Sequence, residues 1–189
     1  YIGVNRNFSE KMARKVLCKD YSLRGIDVTK GTYEEFKGYS NIHKMQAIDI
    51  NYWLMKDILL KADRMTMASS LEGRVPFIDK EVFKVASTLP IDYKVTKENT
   101  KVALREAAKE VIPTEAYKKK KLGFPVPIRE WMKTSEVSDK IREMFNKDFT
   151  KKFFKVDVIN KLLDDHINGK KDNYRKVWTI YSFLTWYEI

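Results

Sequence analysis

Two short stretches of this chain carry side chains suited to charge chemistry on phosphates and carboxylates. The first is Tyr117-Lys118-Lys119-Lys120-Lys121-Leu122-Gly123-Phe124-Pro125-Val126-Pro127. Gly123 allows a tight reversal, and Pro125 and Pro127 keep the segment extended. A lysine in so stiff a loop is placed rather than floppy, and Lys121 is suited to meeting a phosphate. The plainer reading makes it one of a solvated run of lysines. The second stretch is Glu72-x-Arg74-x-Pro76-Phe77-x-Asp79. Here an acid, a base and an acid flank a rigid, partly apolar turn. They are expected to satisfy one another, because an unpaired buried charge is costly.

The elements that must position these groups read mainly as helices. From Asn51 to Ala68 runs an amphipathic helix, with Asp49 as its cap and Tyr52-Trp53-Leu54 entering the core. Met55, Leu59, Ala62 and Met65 form its buried stripe. Asp57, Lys61 and Arg64 share another face, with Asp57 and Lys61 in the favourable order for an ion pair. Ser69 and Ser70 weaken this helix, and Gly73 and Pro76 stop it. Further helices are predicted over Phe8 to Leu17 and Thr29 to Gly38, with Ser9 and Thr32 near their starts. Lys80 to Leu89 turns Val82, Val85, Ala86 and Leu89 to one face. Ile91 to Val95 reads as loop. Asn99 to Val111 turns Val102, Ala103, Ala107 and Val111 inward, and Arg105 is a candidate anchor to an upstream carboxylate. Val137 to Phe145, Val156 to Ile167 and an aromatic Tyr174 to Tyr187 complete the series, the last docked in the core.

Asp63-Arg64-Met65-Thr66-Met67-Ala68, followed by Glu72 to Asp79, resembles the synthetase domain of asparagine synthetases and their amidoligase relatives. Lys101, Leu104, Arg105, Ile112 and Pro113 match a later part of the same pattern. Lys121-Leu122-Gly123-Phe124 lines up with the family's Lys-x-Gly-Phe, before a Pro and Trp131. Two departures stand out. Gly73 replaces a commoner Ala, and Lys119 stands where Arg is frequent, which removes any bidentate role there. The resemblance is firm from about Asp49 to Trp131.

That resemblance implies a mainly α fold: the helical C-terminal portion of an adenine-nucleotide α-hydrolase-like (ATP-pyrophosphatase) synthetase domain. It implies one helical domain over 1–189, a fragment of a larger ATP-dependent amidotransferase that converts aspartate to asparagine. The reaction passes through β-aspartyl-AMP and uses glutamine-derived ammonia. Lys121 would contact the reacting phosphates, with Lys61 and Arg64 as further nucleotide-binding candidates. Glu72 has two readings: the acid of the catalytic machinery, as in β-lactam-forming relatives, or a structural partner of Arg74. ATP and Mg belong to the intact parent, with neither expected on the fragment alone. The expected partners are an upstream nucleotide-binding sheet and an N-terminal glutaminase domain. The alternatives are a fragment of a related peptide- or β-lactam-forming amidoligase, or a non-enzymatic basic helical binding module.

Composition bounds the rest. At 189 residues and 43% hydrophobic, the chain can bury a core. A net charge of +11 invites nucleic acid, but the charges are spread, apart from Lys118 to Lys121, as on a solvated lysine-rich surface. No nucleic-acid or membrane partner is expected. No apolar run could span a bilayer, and no signal peptide is evident. The single Cys18 suits a reducing cytoplasm and reads as a packing or surface residue. His43 and His166 read as solvent-facing or singly hydrogen-bonded, and no metal site is expected. A start at Tyr1 reads as a piece of something longer, inactive alone and prone to form a homo-oligomer through an exposed apolar face.

Overall fold

The computed structural model describes every residue except Val4, Asn5, Arg6, Leu23, Lys120, Lys121, Leu122, Phe124 and Pro125. In chain order its α-helices are α1 (Glu10–Val16), α2 (Gly25–Glu35), α3 (Asn41–Ile48), α4 (Leu60–Met67), α5 (Lys80–Thr88) and α6 (Ile91–Lys94). Then come α7 (Val102–Ala108), α8 (Thr114–Lys118), α9 (Ile128–Trp131), α10 (Ser135–Asn146), α11 (Val156–Ile167) and α12 (Tyr174–Glu188). The fold is mainly helical. Among the described residues, β pairing is confined to two isolated bridges, Leu17 with Phe154 and Val95 with Thr100. The chain divides into two compact units, Tyr1–Lys37 with Pro125–Ile189, and Gly38–Phe124.

The first unit holds the hydrophobic core. α10 contributes Ile141, Met144 and Phe145; α11 contributes Ile159, Leu162 and Leu163; α12 contributes Val177, Ile180 and Leu184. Within each helix these recur three or four residues apart, which puts them on one face. Val16 of α1 and Met132 complete the cluster. The expected helix from Phe8 is α1, capped by the Ser9 hydroxyl, which accepts from the Met12 amide. α12 docks as expected through Val177 and Leu184, while Trp178 and Trp186 stay exposed. The Cys18 thiol donates to the Lys152 carbonyl at 2.9 Å. α2 begins at Gly25, four residues before the expected start. The Asp27 carboxylate accepts from the Arg24 amide at 2.8 Å and closes that end, so Thr32 is a buried mid-helix residue and not a cap.

His166 is singly hydrogen-bonded, the second of its two expected settings, and not solvent-facing. It is only 2% exposed, because it continues the inward stripe of Ile159, Leu162 and Leu163. Its Nε2–H donates to the Arg129 carbonyl at 2.9 Å, and Nδ1 lies 3.7 Å from Asp172. Arg129 pairs with Asp172 at 2.6 Å and covers the Tyr174 ring. These contacts tie α9 to α11 and to the start of α12.

In the second unit the expected cap Asp49 lies inside a longer helical run, with helical φ −64° and ψ −38°. The run starts earlier, at α3, where Ser40 is the cap and accepts from the His43 amide. Between α3 and α4 the chain widens into a π-helix over Asp49–Leu59. Such turns are rare and tend to mark functional positions. His43 has two polar neighbours rather than one: its Nδ1 is 3.1 Å from the Ser40 hydroxyl, and Lys94 reaches its Nε2 at 3.5 Å. Ile91–Lys94 forms a helical turn in place of a loop.

The expected buried stripe Met55, Leu59, Ala62 and Met65 is largely exposed, with Met65 at 65%. So is the apolar face of α5, including Val82 and Val85. α7 is shorter than expected, and of its four predicted inward residues only Val102 and Ala103 are half-buried. Ala107 is exposed, and Val111 lies beyond the helix at 78% exposure. The amphipathic pattern is present, but this unit by itself provides little to cover it.

Candidate functional site

Lys61 and Arg64 lie one turn apart on α4, and both are exposed. Lys61 stands 4.0 Å from Asp57, the pairing expected from their spacing. α4 ends before Gly73 and Pro76 are reached. Ser70 takes a left-handed φ of 53°. The Ser70 amide then donates to the Met67 carbonyl at 3.0 Å and the Leu71 amide to the Thr66 carbonyl at 2.9 Å. This is a Schellman stop with Ser in the position glycine usually fills.

From Leu71 to Lys80 every residue is exposed, so the charges of this motif are not buried as the sequence suggested. All three are nevertheless satisfied locally. Arg74 pairs with Glu72 at 2.6 Å. The Asp79 carboxylate accepts from the Glu81 amide at 2.9 Å and caps α5. Pro76 opens a 3-10 turn, Pro76–Ile78, that presents Phe77 to solvent. No ion pair among the described residues links Glu72 to Lys61 or Arg64; Lys61 pairs with Asp57 and Glu72 with Arg74.

Lys121, the leading candidate, lies outside the described residues. Its described neighbours Lys118, Lys119 and Gly123 are exposed, and open space surrounds the position where a Gly123 Cβ would stand. What holds the approach to this stretch is Arg105 on α7. Its Nε donates to the Thr100 carbonyl at 3.1 Å. Nη1 donates to the carbonyls of Tyr117 and, at 3.3 Å, Lys119; Nη2 also donates to Lys119 at 3.3 Å. The expected carboxylate partner is therefore replaced by backbone oxygens. A signal for this existed. Pro113 starts a short helix, and the last carbonyls of any helix need outside donors. On the next turn of α7 Lys109 pairs with Glu106, and that hydrogen bond raises the lysine's pKa above its ordinary value.

The described residues contain no group of three or more His, Cys, Asp or Glu that could hold a metal ion. They do not fit a magnesium site. What they offer is exposed positive charge, on Lys61, Arg64, Lys118 and Lys119, which suits anions. No helix among them is long and apolar enough to cross a membrane.

The family model described as asparagine synthase matches residues 3–188. The chain is 46% identical over its full length to asparagine synthetase [glutamine-hydrolyzing] 1 of Bacillus subtilis, covering 30% of that protein. It is 40% identical, again over its full length, to a putative asparagine synthetase [glutamine-hydrolyzing] of Mycobacterium bovis, covering 29% of it. A more distant relative is asparagine synthetase [glutamine-hydrolyzing] 3 of Bacillus subtilis, 28% identical over 67% of the chain and 22% of that protein. The chain thus spans under a third of the length of these relatives. No solved structure matches it.

Proposed function

The chain belongs to the asparagine synthase family, and from that premise we propose that it is the C-terminal helical part of a glutamine-hydrolysing asparagine synthetase. The observation that carries this is identity of 46% along the whole chain to a protein of that name. In this reading ATP activates the side-chain carboxylate of aspartate. β-Aspartyl-AMP forms, pyrophosphate leaves, and glutamine-derived ammonia displaces AMP to give asparagine. Three demands follow: neutralising the departing pyrophosphate, aligning the nucleophile with the carboxylate, and keeping water from the adenylate.

This chain meets the first demand with cations. Lys121 supplies charge where pyrophosphate leaves, and Lys61 and Arg64 add to the field along α4. Glu72, paired with Arg74, is the candidate acid of this machinery. ATP enters as a substrate. Magnesium belongs to the intact enzyme and takes no ligand set from the described residues. The upstream nucleotide-binding sheet and N-terminal glutaminase domain complete the enzyme, in the cytoplasm. The exposed apolar residues of α4, α5 and the Phe77 turn are the surface that the rest of the protein covers, and a chain without that cover self-associates.

The test uses the full-length protein. Lys121→Ala is expected to lower aspartate- and ATP-dependent pyrophosphate release by about 100- to 1000-fold and to leave glutamine hydrolysis intact. Lys118→Ala and Lys119→Ala belong to the same lysine run and should change neither. Equal, mild effects of all three substitutions would mean that the run is a solvated patch.

A further inference from the structure

We propose that Arg105 is a positioning residue for the ATP-dependent step, acting by fixing the backbone that leads into the Lys-x-Gly-Phe stretch. This rests on the synthetase reading above and names a residue through which that site is held. A guanidinium carries five donors in a rigid planar fork. Arg105 directs three of its nitrogens at three backbone oxygens: Thr100, just before α7, and Tyr117 and Lys119, at the end of α8. No carboxylate among the described residues pairs with it, so the fork is committed to the main chain. The carbonyls at a helix C-terminus lack internal partners and favour a cation. Arg105 meets both needs while bridging two separate segments. Lys119 is two residues before Lys121 in the chain, so the anchor sits at the entrance to the lysine it serves.

Arginine is required by the geometry. A lysine ammonium is a point charge on a flexible stem and cannot reproduce a planar fork across three oxygens. The anchor also grips carbonyls, not side chains. Replacing the side chain of Lys118 or Lys119 therefore leaves it in place, which keeps those variants useful as controls.

The experiment compares Arg105→Ala and Arg105→Lys with the unsubstituted full-length protein. One readout is trypsin nicking after Lys118 and Lys119 under native conditions, which reports the anchor itself. The second is aspartate-dependent pyrophosphate release, with glutamine hydrolysis and the unfolding temperature measured alongside. In Arg105→Ala, nicking should quicken by about tenfold. The kcat for pyrophosphate release should fall by about 100-fold, the order expected of a misplacement near 1 Å. The KM for ATP should stay near its original value, because the contact matters most as charge develops. Arg105→Lys should fall between. Glutamine hydrolysis and unfolding temperature should hold. Unchanged nicking, or faster nicking with unchanged pyrophosphate release, overturns the proposal. Parallel loss of glutamine hydrolysis and unfolding temperature also overturns it, by making Arg105 a general structural residue. An unsubstituted protein that releases no pyrophosphate from aspartate and ATP overturns the synthetase reading itself, and this proposal with it, whatever the nicking rates.

Discussion

Replacing Phe77 with alanine should have one effect in the chain alone and another in the full-length protein. Phe77 is 71% exposed, which leaves about 140 Å² of a side chain whose total is about 200 Å² facing solvent. At about 25 cal/mol per Å², the part buried within the chain contributes about 1.5 kcal/mol. Covering the remainder would add about 3.5 kcal/mol, an upper figure because unfolded chains already bury some apolar surface. Phe77→Ala should therefore cost about 1 kcal/mol in the isolated chain and about 3–5 kcal/mol in the full-length protein. Phe145→Ala is the reference. Phe145 has no exposed surface, so its removal should cost about 3–5 kcal/mol in both settings. Urea unfolding followed by far-UV circular dichroism supplies both values. An equally small cost for Phe77→Ala in both proteins, beside a large one for Phe145→Ala, would refute the idea that the rest of the protein covers this surface.

Two further outcomes follow from local geometry. Ser70→Gly should stabilise the end of α4 by about 0.5–1 kcal/mol, since a left-handed residue with a Cβ is penalised and glycine is not; a loss of stability on urea unfolding would contradict the Schellman stop. The hydrogen bond from the Arg24 amide holds the Asp27 pKa below its ordinary 3.8. Its contribution to the start of α2 is thus present above that value and is lost as pH falls through the lower folded pKa. The protection of the Arg24 amide against exchange, taken relative to an unstructured chain at the same pH, should hold at neutral pH and fall only in that acid range, and no change there would count against the cap.

Much of the first unit was legible because its helices are both amphipathic and self-sufficient. The stripes of α10, α11 and α12 are buried against one another, so periodicity and burial coincide. The burial of His166 was legible in principle, since it extends the Ile159, Leu162 and Leu163 stripe, while its partner, a backbone carbonyl, carries no sequence signature. In the second unit the same periodicity misled. A pattern such as Met55, Leu59, Ala62 and Met65 says that a face is built for cover, not that this chain supplies it. α3 was not legible from Asp49, a cap-type residue that sits inside the helical run, whereas the cap is Ser40. The anchoring by Arg105 was only half legible: the arginine stands out, but backbone oxygens carry no sequence signature. The motifs around Glu72 and Lys121 are legible as patterns, while which side chains meet in space is not a property of sequence spacing.

The π-helix between α3 and α4 bears on where the cations look. An α-helix turns by about 100° per residue, and closing its hydrogen bonds one residue later changes how much rotation a given stretch accumulates. The direction of Lys61 and Arg64 is therefore a phase, set by turns that lie before them in the chain. Narrowing Asp49–Leu59 to ordinary α geometry would leave both lysine and arginine in the sequence and swing them around the helix axis. A one-residue deletion near the start of that stretch, more than two turns before Lys61, would re-aim the pair as surely as replacing it.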